Sequence, residues 1–185
     1  ETTHVPFLAR VPGGPSGRVA EGLVSHVDLI PTMLELGGIE VPPLLNGTSF
    51  AAVLRDPTTR HRDHAFLAFH RFAVNHDAFG EFYPIRCATD GRFKLSVNLL
   101  DTDELYDLVD DPYEMDNRID DPALCDERDR LHDALLDEMD RIRDPFRSHH
   151  WGDRPWRSAR KAFYLASATR PRPAGFPFQP ASVEG

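Results

Sequence analysis

The stretch from Tyr83 to Glu114, YPIRCATDGRFKLSVNLLDTDELYDLVDDPYE, leaves this chain little choice of local fold. Tyr83–Thr89 and Arg92–Leu99 are rich in aromatic and β-branched residues and flank Asp90-Gly91. An Asp-Gly pair takes up the backbone angles of a tight hairpin turn at low steric cost, so the two runs are expected to pair antiparallel. A third run, Glu104–Leu108, ends at Asp110-Asp111-Pro112, where proline stops a strand and starts a turn. His64–Arg71 (HAFLAFHR) is a further strand-like run upstream. A small antiparallel meander follows from these signals alone.

Helix signals flank it. Asp121-Pro122 reads as a cap followed by a first-turn proline, and Leu124, Leu131, Leu135, Met139 and Ile142 recur at helical steps. A helix over Pro122–Arg143 is expected to cover one face of the sheet, with Asp126/Arg130 and Asp137/Arg141 as i,i+4 pairs. Upstream, Ser25–Leu36 reads as a helix stopped by Gly37-Gly38, and Val27, Ile30, Met33 and Leu34 give it one apolar face. A short helix is expected at Ser49–Arg55. Val5–Val11 (VPFLARV) is nearly all apolar, the pattern of a strand buried on both faces. Arg170–Gly185 carries four prolines and few branched aliphatics, and reads as a tail.

Charge excludes one class of partner. Net charge is −9, so nucleic-acid phosphates would be repelled. No run approaches the ~18 apolar residues of a membrane-spanning helix. The chain begins with Glu1 rather than Met, in what reads as a structured element, so its start is expected to be missing and its compartment, cytoplasmic or periplasmic, stays open. Cys87 and Cys125 are the only cysteines, which makes neither a disulfide framework nor a metal cluster.

Short catalytic motifs fail on inspection. His61-Arg62-Asp63 lacks the downstream Asn and the phosphate loop of a kinase. Asp101-Thr102-Asp103 lacks the glycine of a calcium loop. The cluster His70, Arg71, Asn75, His76 and Asp77 is different, because Phe72, Phe79, Phe82 and Tyr83 interleave it. Aromatic walls with a few convergent polar groups suit a sugar or small-anion pocket. Arg71 offers a fork for sulfate or carboxylate, and His70, His76 and Asp77 can bond hydroxyls. The competing reading is a surface loop anchored by its aromatics.

Four segments together resemble the C-terminal portion of the type I, formylglycine-dependent sulfatases. Glu1–Pro12 (ETTHVPFLARVP) is similar to one of the family's strands, and Val24–Gly38 (VSHVDLIPTMLELGG) to its "VDLLPTLLDLAG" helix. Asn46–Leu54 is similar to its "DG-x-SF-x-x-LL" turn, with Asn46 where Asp is usual. Tyr83–Asn117 is similar to its "DGRYKL…ELYDL-x-x-DP-x-E-x-x-N" ending. The resemblance runs from residue 1 to about residue 143.

It implies an α/β class: the C-terminal part of an alkaline-phosphatase-like fold, with a small antiparallel sheet packed by a long C-terminal helix. Residues 1–60 would end the catalytic α/β domain, 61–145 form a C-terminal subdomain, and 146–185 an irregular extension and tail. The family hydrolyses sulfate esters or sulfamates with a formylglycine, made from Cys or Ser in a C/S-x-P-x-R motif, and a calcium ion. Cys87 precedes Ala-Thr-Asp and Cys125 precedes Asp-Glu-Arg, so neither fits that motif. Formylglycine and calcium are therefore expected in the full-length protein, on its N-terminal catalytic domain, with no catalytic or metal residue here. The implied partner is a small-molecule or carbohydrate sulfate, and His76, Asp77, Arg71 and His70 are the substrate-binding candidates. Two alternatives remain: a phosphonate or phosphodiester hydrolase of the same superfamily, and a non-catalytic binding domain.

Overall fold

The computed structural model of the protein describes residues 5–72 and 82–157. Four strands form one antiparallel sheet in the order β1-β2-β3-β4: β1 Ala65–Phe72, β2 Phe82–Thr89, β3 Phe93–Asn98 and β4 Glu104–Asp107. The Asp90-Gly91 turn works as the sequence implies. Gly91 sits at φ 96°, and Asp90 Oδ1 accepts the Arg92 and Phe93 amides at 2.9 and 2.8 Å. That pins the register Thr89↔Lys94 and Ala88↔Leu95, and therefore which side chains share a face.

Side-chain alternation divides the sheet. Ala88, Phe93, Leu95, Val97 and Leu105 point to one side and are buried against Leu131, Leu135, Leu136 and Met139 of α3, Cys125–Arg141. Asp121 caps the preceding single turn, Pro122–Leu124, by accepting the Ala123 amide at 2.8 Å. The expected i,i+4 pairs give way to i,i+3 ones: Arg130 bonds Glu127 and Arg141 bonds Glu138. Arg130 also reaches Asp90 in the β2–β3 turn, which locks the helix to the hairpin.

The segment after α3 is built into this core. Trp151 is fully buried, and Arg86 on β2 makes a two-pronged ion pair with Asp144 at 2.6 and 3.0 Å. The Arg86 guanidinium lies 5.3 Å from the Trp151 ring centre. Asp103, before β4, accepts from Arg154, from the Trp156 indole at 2.7 Å and from the Asn98 amide at 2.8 Å. Buried His132 bonds the Trp151 carbonyl through Nε2 at 2.7 Å, while Arg157 lies 2.9 Å from its Nδ1. These partners assign the neutral tautomer, with Nε2–H donating and Nδ1 accepting. Burial first, then the Arg157 charge, pushes the ring's pKa down to about 4 against the pull of the Trp151 carbonyl.

One expectation for the first sixty residues is corrected. Val5–Val11 forms no strand, and Phe7 and Leu8 are exposed. The expected Ser25–Leu36 helix exists as a single 3₁₀ turn, His26–Asp28, continuing into α1, Leu29–Leu36. Asp28, Pro31 and Thr32 are buried, whereas Val27, Ile30, Met33 and Leu36 are exposed. Polar partners draw Asp28 inward, so the apolar stripe is left facing out. The Ser49–Arg55 helix is α2, Ala51–Arg55, which packs Phe50, Ala51 and Val53 inward.

Candidate functional site

Two arrangements among the described residues gather polar side chains. The first is a polar hub at the start of β1. The Asp28 carboxylate, wholly buried, accepts the Thr48 amide at 2.8 Å, the Ser25 amide at 3.1 Å and Arg62 Nε at 2.6 Å. Arg62 also bonds its other oxygen through a terminal nitrogen, and His61 Nε2 lies 3.2 Å away. Burial disfavours the ionised carboxyl, but the bonds from Arg62, Thr48 and His61 outweigh it and hold its pKa below the usual range. Asp28 thereby fastens α1, the 46–50 turn and the residues feeding β1 at one point. Leu23 and Arg62 form an isolated β-bridge beside it.

The second is the sheet face turned away from α3. Register lines up Leu67, Cys87, Ser96 and Glu104 in one row across all four strands, with Phe69 and Ile85 in the next row toward the β1–β2 hairpin. These residues line a groove of about 640 Å³ together with Lys94, Asp101 and Thr102. Cys87 Sγ lies 3.1 Å from Ser96 Oγ, and burial pushes the thiol pKa up, so it is a poor nucleophile. Lys94 pairs with Glu114 at the groove's lower edge. Glu104 has its pKa raised, by burial first and by the Glu114 and Asp101 charges, against the pull of Lys94.

Of the predicted ligand residues, two sit at the far end of β1 from the hub. His70 and Arg71 belong to β1, in register with Pro84 and Tyr83. His76 and Asp77 lie outside the described residues. Sequence reasoning missed the Lys94–Glu114 pair, Glu104 and Phe69 because register, rather than chain proximity, gathers them. Asp28 was legible only as a first-turn helix acid, although the capping box that Ser25 and Asp28 complete is a local signal. Among the described residues no three His, Cys, Asp or Glu side chains gather as metal ligands, so the calcium of the sulfatase mechanism does not fit onto them. No helix among them is long and apolar enough to cross a membrane.

Comparison with known proteins identifies the frame. The family described as "N-sulphoglucosamine sulphohydrolase, C-terminal" matches residues 1–141. The uncharacterized sulfatase YidJ of Escherichia coli (strain K12) is 45% identical over 173 residues, covering 94% of this chain and 33% of that protein. An N-acetylglucosamine-6-O-sulfatase of Bacteroides thetaiotaomicron is 29% identical over 121 residues, covering 63% of this chain and 21% of its own length. A structure solved in complex with its substrate D-glucosamine-2-N,6-O-disulfate superposes with a TM-score of 0.55 at 25% identity, over 64% of this chain and 24% of that one. The chain thus spans about a third or less of the proteins it matches. Its four-stranded antiparallel sheet and long helix are the C-terminal part of the alkaline-phosphatase-like fold those sulfatases share. The chain belongs to the sulfatase family, as its C-terminal part.

Proposed function

We propose that this chain is the C-terminal part of an enzyme that hydrolyses sulfate esters or sulfamates of a sulfated carbohydrate. The observation that carries the reading is the family match over residues 1–141, together with relatives named for sulfated glucosamine. In this reading the nucleophile, a formylglycine, and the calcium ion belong to the N-terminal catalytic domain. The chain alone supplies neither, since its two cysteines lack the modification motif. Calcium would supply Lewis-acid chemistry and the formylglycine a nucleophile, each held by residues of that domain rather than by those of this chain. This chain's part is to shape the mouth of the pocket, with His70, Arg71, His76 and Asp77 as substrate contacts.

The domain assignment belongs to the same reading. Residues 1–60 complete the catalytic domain, 61–145 form the subdomain, and 146–185 extend it. The outward stripe Val27, Ile30, Met33 and Leu36, with Phe7 and Leu8 nearby in sequence, supports a seam there: an exposed apolar face of this extent marks an interaction surface. Sulfate release from glucosamine 6-sulfate, with calcium present, tests the assignment. The 185-residue chain is expected to be inactive and the whole protein active; release by the chain alone would overturn it.

A further inference from the structure

Both tryptophans of the sequence stand in the segment after α3, and one titratable ring of α3 touches the backbone of the first and the ring of the second. His132 meets the Trp151 carbonyl with Nε2 and lies against Trp156 in an edge contact, ring centres 4.9 Å apart. Arg157 reaches Nδ1 at 2.9 Å and continues to Asp133 at 2.8 Å and to the Asp129 carbonyl at 3.1 Å. Trp156 donates its indole N–H to Asp103, and its carbonyl accepts from Arg128 at 2.8 Å.

The two nitrogens of His132 respond differently to a proton. Nε2 already carries one, so its bond to the Trp151 carbonyl survives. Nδ1 must accept, because arginine can only donate. A proton on Nδ1 removes that acceptor and sets two cations against each other where His132 is fully buried and water screens little. The charged groups that bear on the ring are Arg157, Asp133 of α3 itself and Asp103 before β4. Both carboxylates are engaged, Asp133 by Arg157 and Asp103 by Arg154 and Trp156. The ring's pKa of about 4, against an ordinary 6.5, means that it binds its proton more tightly once Arg157 has left.

Burial decides which part can move. Trp151 is fully enclosed, and the Arg86–Asp144 pair anchors the segment on its near side. Trp156 and Arg157 are only partly covered. If Trp156 withdraws, Asp103 keeps Arg154 and the Asn98 amide, so no buried carboxylate is stranded.

We propose that Trp156–Arg157 is an acid-released latch: protonation of His132 expels Arg157 from Nδ1, and Trp156 leaves Asp103 with it, while Trp151 stays in the core. The latch is closed above about pH 6.5 and opens as pH falls toward 4.

The test is acid titration of the nitrogen-15-labelled 185-residue chain, following its two indole N–H signals by nuclear magnetic resonance, with Trp156→Phe to assign them. The Trp156 signal is expected to move to the position of a free indole, its opening equilibrium rising roughly thirtyfold between pH 8 and pH 5. The Trp151 signal, whose N–H bonds the Phe146 carbonyl at 3.0 Å, should stay. His132→Gln keeps a donor for Trp151 and an acceptor for Arg157 but takes up no proton in this range, so it should hold Trp156 in place throughout. Should that variant not fold, Arg157→Gln decides: its amide oxygen can turn toward a protonated Nδ1, and the midpoint should fall to lower pH. Movement of both indole signals together, a Trp156 signal unmoved down to pH 4, or an unchanged titration in the folded variant would each overturn the latch.

Discussion

Arg62 clamps Asp28 with both prongs of its guanidinium, across 34 residues of sequence, in a site where the carboxylate is wholly buried. The pair fixes which side of α1 faces inward, because a buried carboxylate must face its donors even if an apolar stripe is thereby exposed.

Removing one member of such a pair leaves the other unpaired. Arg62→Ala should cost roughly 3–5 kcal/mol, read as a lower midpoint in urea unfolding. Asp28→Asn should cost less, since the amide oxygen still accepts one prong. The lowered pKa of Asp28 has a sign: its stabilisation is full above the unfolded value and is lost as pH falls through the lower folded value.

Gly47 is held where no side chain fits. A Cβ built there would stand 1.9 Å from the Val27 carbonyl oxygen and 2.9 Å from the Asp28 amide nitrogen. Both neighbours are backbone and cannot swing aside. Gly47→Ala should therefore destabilise by roughly 3 kcal/mol or more and separate the 46–50 turn from Asp28, seen as lost amide protection at Thr48.

His132 makes stability depend on pH. Its folded pKa of about 4 lies below the ordinary histidine value of 6.5, so the unfolded chain takes up the proton first. Stability is full above pH 6.5 and falls as pH drops toward 4, by a total of roughly 3 kcal/mol. The measurement is urea unfolding at pH 7 and pH 4.5, compared with His132→Gln, which should have a shallower pH dependence. Asp28 loses its contribution only below this window, and raised Glu104 acts in the opposite sense, so the difference between variants isolates the histidine. The charged groups acting on the ring are Arg157, Asp133 and Asp103.

The α1 stripe should make the isolated chain adhesive. Concentration-dependent association is expected in sedimentation, and Ile30→Lys with Met33→Lys should reduce it with little change in unfolding midpoint, since both side chains are more than half exposed. Association that persists in the double variant would place the sticky surface elsewhere.

The meander was legible because each of its signals is local: the Asp90-Gly91 turn, the run lengths and the stop at Pro112 lie within a few residues of what they control. The α3 helix was legible for the same reason, from Asp121-Pro122 and the leucine period. The Val5–Val11 strand was misread because an apolar run specifies burial without supplying the partner strands that create it. The buried side of α1 was not legible, because the period locates an apolar side but cannot say which side finds a partner; Thr48, His61 and Arg62 lie 20 to 34 residues beyond Asp28.

Four segments, Tyr83–Asn117 among them, placed the chain among the sulfatases, and the sequence alone determined the meander strands, their antiparallel pairing and the helix that covers them. Only the tertiary structure decided that the Trp151–Arg157 segment closes the core and that Asp28 is a hub. It alone brought Phe69, Lys94 and Glu104 onto one open face. Those relationships depend on cross-strand register and on donors far along the chain, and no local pattern encodes either.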